Sequence, residues 1–160
     1  MARIGDVRRD LSTVFNKYPA LMDIVEPSVE MVDIPGNPDD LFDEELDRCL
    51  LSFGAWRGYY SALLANIEAE LSMYENAYTI RLGQVMGRLD REMKRKVVKE
   101  ILIGLSIEED EELKDFQDKV SELKAERIIL KGRYDYFHSQ FETVSRVITR
   151  RGQERFKAVM

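Results

Sequence analysis

The sequence predicts an all-α fold: a short N-terminal helix, a proline-rich arm, then a long antiparallel helical hairpin with coiled-coil-like seams. Three observations carry that expectation. Nine glycines and four prolines in 160 residues leave too little turn material for a sandwich or barrel of many short strands. All four prolines fall between Pro19 and Pro38, which concentrates the helix breakers in one stretch. Apolar residues then recur at alternating three- and four-residue steps through two long segments. With 34% charged and 44% hydrophobic residues, residues 1–160 read as a single helical domain with a modest core.

Residues 1–18 form the short helix, with Ile4, Val7, Leu11, Val14 and Phe15 on one face and Pro19 stopping it. Residues 19–38 form an irregular arm. It carries the turn signal Pro35-Gly36-Asn37-Pro38, and only Val29 to Ile34 could be extended. The hairpin and its connection fill residues 39–160. Pro38 suits a first helical turn, and Asp39, Asp40, Asp43, Glu44 and Glu45 complement the positive end of the helix dipole.

In the first long helix, Leu46, Phe53, Tyr60, Ile67 and Tyr74 recur every seven residues. Leu50, Leu64, Leu71, Tyr78 and Val85 form the companion series, with Arg57 as its exception. The first series continues as Arg81 and Arg88, where the helix is expected to leave the core and face solvent, a partner or an anion. The second long helix carries Leu113, Phe116, Val120, Leu123, Leu130, Tyr134, Phe137, Phe141, Val144 and Ile148, broken by Arg127, and the same steps reach Arg151 and Arg155. Ser106 with Glu109 has the form of a capping box and places the start of this helix near Ser106, with acidic residues 108–112 in its first turns. Lys94 to Gly104 fits either a helical extension or a short strand. One hairpin cannot bury both seams, which Leu63, Ala77, Ile128 and Ile129 widen, so self-association is expected. The alternative is a monomer whose arm and first helix cover the hairpin.

Charge is banded. Residues 1–46 hold four basic against eleven acidic residues, 81–99 seven against two, 100–122 two against nine, and 123–160 nine against four. The overall net charge of −6 does not favour nucleic acid, but the two basic segments could contact phosphates if the fold brings them together. A simple antiparallel hairpin instead places them at opposite ends and leaves one segment, or neighbouring copies, to form the site. The plainer reading of such charges is a solvated helix face. No 18-residue apolar run or signal-peptide pattern is present, which points to a soluble, cytoplasmic protein. One cysteine, Cys49, excludes an intramolecular disulfide, and one histidine, His138, leaves no cluster for zinc or nucleophilic catalysis. With no phosphate loop or nucleophile motif either, the chain is expected to be non-enzymatic, without metal or cofactor.

The order of parts resembles the UvsY-type recombination mediators of tailed phages. The resemblance rests on Ile4-Gly-Asp-Val-Arg-Arg-Asp-Leu11, on Tyr60-Ser61 through Arg88-Leu89-Asp90, and on Tyr134 through Val144-Ser145-Arg146 to Arg155-Phe156. It implies a homo-oligomeric ring, acting in the host cytoplasm if phage-encoded. Such a ring binds single-stranded DNA and helps a RecA-like recombinase displace single-strand-binding protein. The family's Lys-x-Arg pair before Leu-Asp maps to Met86 and Arg88, so the arginine is kept and the lysine is not. The expected DNA contacts are Arg81, Arg88, Arg91, Lys94, Arg95, Lys96, Arg146, Arg150, Arg151 and Arg155. Tyr74, Tyr78 or Phe156 would add stacking surfaces if exposed, although core positions are the favoured reading for Tyr74 and Tyr78. Leu46, Phe53, Tyr60, Ile67, Leu71, Leu123, Leu130, Phe137, Phe141, Val144 and Ile148 are the expected core and oligomer seam. The competing class is a structural or adaptor helical protein of virion or scaffold type, whose seams make subunit contacts. A coiled-coil regulator binding a partner through the arm is a third reading.

Overall fold

A computed structural model of the chain describes residues 3–17, 24–34, 36–93 and 97–159. The protein is all-α: helices α1 (Ile4–Lys17), α2 (Asp43–Glu92), α3 (Lys99–Glu109) and α4 (Glu111–Val159) follow one another, with a short 3-10 turn at Pro38–Asp40. No strand occurs among the described residues.

Two local boundaries differ from expectation. The long helix does not begin at residue 39. Pro38–Asp40 closes a 3-10 turn capped by Asn37, whose side chain accepts the Asp39 N–H at 3.2 Å. α2 then starts at Asp43, with the Glu45 carboxylate accepting the Phe42 N–H at 2.7 Å, half of a capping box. Likewise, Ser106 does not open the last helix. Its hydroxyl donates back to the Leu102 carbonyl at 2.7 Å inside α3, which resolves the connection as helical from Lys99. The break comes at Asp110, which has extended backbone and accepts the Leu113 N–H at 3.3 Å. Asp110 is thus the side-chain cap of α4.

The chain divides into two compact units, Met1–Asp23 with Ala65–Arg127, and Ile24–Leu64 with Ile128–Met160. In the first, Val7 and Leu11 of α1 pack on Leu71, Tyr74 and Ala77 of α2 and on Phe116, Val120 and Leu123 of α4. The exposed Val14 falls outside that contact. A second cluster joins Val85 and Leu89 to Leu102 of α3 and Leu113. α2 and α4 run antiparallel here, as shown by Glu68 with Arg127 at 2.9 Å, Glu75 with Lys124 at 2.8 Å, and Arg81 with Asp110 at 2.9 Å. Arg127, which interrupts the apolar series, is an exposed ion-pair member.

In the second unit Leu46, Cys49, Phe53 and Trp56 of α2 meet Phe137, Val144 and Val147 of α4. Tyr60, Phe141 and Ile148 pack at the edge of this cluster, and Arg57 lies 4.0 Å above the Phe141 ring, so the exception in the α2 series is a cation–π contact. The arm makes no strand at Val29–Ile34. It is tied to α2 by Ser52, whose hydroxyl donates to the Glu30 carbonyl at 2.8 Å, and by the Trp56 indole N–H, which donates to the Val29 carbonyl at 3.1 Å. Val32 and Ile34 pack against the same core. Of the expected seam, Leu46, Phe53, Leu71, Leu123, Phe137 and Val144 are buried, while Tyr60, Ile67, Leu130, Phe141 and Ile148 are half-buried. Ile128 and Ile129 are 73% and 66% exposed, whereas Ala77 is buried.

Candidate functional site

The predicted basic residues fall into two groups, one in each unit. In the first, Arg81 does not leave the core. Its Nε lies 3.0 Å from both Asp110 carboxylate oxygens, its Nη2 2.9 Å from Oδ1, and its Nη1 pairs with Glu112. The residue is only 9% exposed. The heptad stripe therefore continues inward past Tyr74, and the acidic run that opens α4 supplies the counter-charge for its arginine. Arg81 is thereby withdrawn from solution. Two turns further, Arg88 pairs with Glu109 at 2.8 Å while remaining partly exposed, and the exposed Arg91 donates through Nε to the Gly87 carbonyl at 2.8 Å. Lys94, Arg95 and Lys96 lie outside the described residues.

The second group occupies the last turns of α4. Arg146 pairs with Glu142 one turn back at 3.7 Å, and its side chain is 81% exposed. Arg150 meets Asp39 and, at 3.9 Å, Glu154. Arg151 donates to Asp43 at 3.0 Å and to the Asp39 carbonyl at 2.7 Å, and Arg155 binds the second oxygen of the same Asp43 carboxylate. Steps of four residues set Arg146 above Arg150 and Arg151 above Arg155. Two shallow surface depressions result, one lined by Asn37, Asp39, Thr143, Arg146 and Arg150, the other by Asp43, Asp47, Arg151 and Arg155. Guanidinium groups so placed can grip phosphate or carboxylate oxygens through charged hydrogen bonds.

Hydrogen bonds from Arg155 and then Arg151 hold the Asp43 carboxyl below the usual carboxylate range. A group whose folded pKa lies below its unfolded value stabilises the fold above the unfolded pKa, and that contribution is lost as pH falls through the folded value. Carboxyl-resolved NMR titration should therefore show Asp43 ionised below the ordinary aspartate midpoint, and Arg155→Ala should return it toward that midpoint. A titration indifferent to Arg155 would place the two groups apart in solution.

The stacking candidates separate clearly. Tyr74 is 1% exposed, in edge contact with Phe116 at 6.2 Å, and Tyr78 packs against the first unit's cores. Phe156, beside Arg155, is 64% exposed. His138 is a surface residue stacked on Tyr134 at 5.6 Å. Cys49 is buried in the apolar core, and that burial pushes its thiol pKa up. Among the described residues no His/Cys/Asp/Glu grouping could hold a metal ion, and no helix is long and apolar enough to cross a membrane.

Sequence reasoning missed the partners of these arginines rather than the arginines themselves. The signal was present in the charge bands: acidic residues 39–45 and 108–112 each lie where an antiparallel helix pair brings a basic segment. Compared with known proteins, the chain shows no significant match to a family model, a curated protein or a solved structure.

Proposed function

We propose that this chain is a non-enzymatic recombination mediator that binds single-stranded DNA and helps a RecA-like recombinase replace single-strand-binding protein. The observation that carries the DNA-binding part is the surface arginine row Arg146, Arg150, Arg151 and Arg155, presented on one helix with the exposed Phe156 beside it. Arginines contact the backbone without reading sequence, and an exposed aromatic face accepts any base. Exposed ion pairs such as Arg150 with Asp39 contribute only about 0–1 kcal/mol, so a phosphate backbone can replace those carboxylates. Arg88 and Arg91 supply a second basic surface. The recombinase and single-strand-binding protein enter from the resemblance in the opening helix, the Arg88-Leu89-Asp90 end and the C-terminal helix. Uncovered Ile128 and Ile129 support assembly of several copies, including the coiled-coil seam and ring the resemblance implies.

The adaptor reading is favoured by a specific observation of its own. Arg81 is buried in an internal pair, and each arginine of the C-terminal row has a carboxylate partner in its own chain. Titration of labelled single-stranded and duplex oligonucleotides at several salt concentrations separates the two. The mediator reading expects salt-sensitive preference for single strands. Arg146→Ala with Arg150→Ala should weaken binding and lower the salt slope by about 0.7 for each phosphate no longer neutralised, and Arg88→Ala should weaken it independently. Absence of binding at low salt would overturn the reading in favour of the adaptor.

A further inference from the structure

The carboxylates that meet the C-terminal arginine row come from one short segment. Asp39 lies in the 3-10 turn, fixed by the Asn37 cap, and Asp43 is the first residue of α2, whose start is fixed by Glu45. Neither is a carboxylate on a loose loop. The Asp43 carboxylate gives one oxygen to Arg151 and the other to Arg155, which is the arrangement the two non-bridging oxygens of a phosphodiester would adopt between two guanidinium groups. Asp39 offers its carboxylate to Arg150 and its main-chain carbonyl to Arg151. The segment thus fills the hydrogen-bonding directions that a nucleic-acid backbone would use.

We infer that Asp39 and Asp43 form an autoinhibitory acidic clasp, a built-in phosphate mimic that competes with single-stranded DNA for Arg150, Arg151 and Arg155. This inference rests on the DNA-binding reading above. DNA must displace the clasp to engage the row, so only a polyanion making several contacts at once gains enough to open it, while isolated phosphate does not. The clasp also links the site to the arm, because the displaced turn joins α2 to the segment anchored at Ser52 and Trp56.

The test compares full-length wild type with Asp39→Asn/Asp43→Asn and with Asp40→Asn/Glu44→Gln. The second pair removes the same charge from the same segment, but its carboxylates are not those that meet the row. Far-UV circular dichroism checks that each variant is helical, and labelled oligothymidine titrations give the affinities. The clasp expects Asp39→Asn/Asp43→Asn to bind about three- to tenfold more tightly, with less than a twofold change for the control pair. Adding Arg150→Gln and Arg155→Gln should remove the gain. Equal tightening by both pairs would reduce the effect to general charge and overturn the clasp. Unchanged affinity in both, with wild type binding, would overturn the clasp and leave the DNA reading standing. If neither wild type nor any variant binds at low salt, the DNA reading itself fails and the clasp with it.

Discussion

Arg81→Met is expected to destabilise the first unit by roughly 3–5 kcal/mol, the cost of leaving one member of a buried ion pair without its partner. Arg81 and Asp110 side chains are 11% and 9% exposed, so little solvent is present to screen the residual charge. Asp110 holds two roles that substitution can separate. It neutralises the guanidinium, and it caps α4 through the Leu113 N–H. Asp110→Ala loses both, whereas Asp110→Asn keeps an acceptor for the cap and leaves Arg81 facing Glu112. The expected order of stability is therefore wild type, then Asp110→Asn, then Asp110→Ala. The double variant Arg81→Met/Asp110→Asn should recover much of the loss of Arg81→Met, because Asp110 no longer leaves a bare charge buried. Urea unfolding followed by far-UV circular dichroism measures the series. A loss below about 1 kcal/mol for Arg81→Met would give the pair the energetics of a surface ion pair.

This pair also marks the boundary of what the sequence discloses. The three- and four-residue steps locate α1, both long helices and most core positions, because burial of one helical face imposes that period directly. Period says which face a residue occupies but not what stands opposite. Arg81 occupies a core position in the series, and its charge alone suggests exposure; only the facing Asp110 and Glu112 make an arginine acceptable there. The displaced start of the last helix has the same origin. Ser106 and Glu109 satisfy a local capping pattern, but the apolar series opens at Leu113, and Asp110 stands three residues before it with a second stabilising partner in Arg81. Trp56 and Val147 lie outside the expected seam although both are buried. They broaden the face beyond the heptad positions, because the arm and aromatic side chains of the second unit require a wider contact than two helices alone. At the C-terminal row the arginines and the acidic segment are each legible separately. Their pairing depends on a tertiary contact across more than a hundred residues, which no local spacing encodes.

Phe137→Ala is expected to cost roughly 3–5 kcal/mol in the second unit, the range for removing a fully buried phenyl ring. Phe137 is 0% exposed, with Tyr60 stacked at 5.5 Å, Trp56 at 6.1 Å, Phe53 tilted at 6.4 Å and Tyr136 edge-on at 5.1 Å. Removing the ring takes away apolar area and four aromatic pairings together, and large neighbours fixed on two long helices have little freedom to close the space. Trp56 is the only tryptophan in the chain, so its fluorescence reports this cluster. The loss of a stacked neighbour should shift its emission, and loosening of the indole should weaken its bond to the Val29 carbonyl, which anchors the arm. Phe137→Leu refills most of the volume and should cost under about 1.5 kcal/mol. His138→Ala, one residue away on the exposed face, should change stability by no more than about 0.5 kcal/mol. Chemical unfolding of the three variants, read through Trp56, tests whether the face assigned to α4 is the one that packs. Equal losses for Phe137→Ala and His138→Ala would mean that α4 is rotated about its axis in solution, and the arginine row that shares this helix would then point elsewhere.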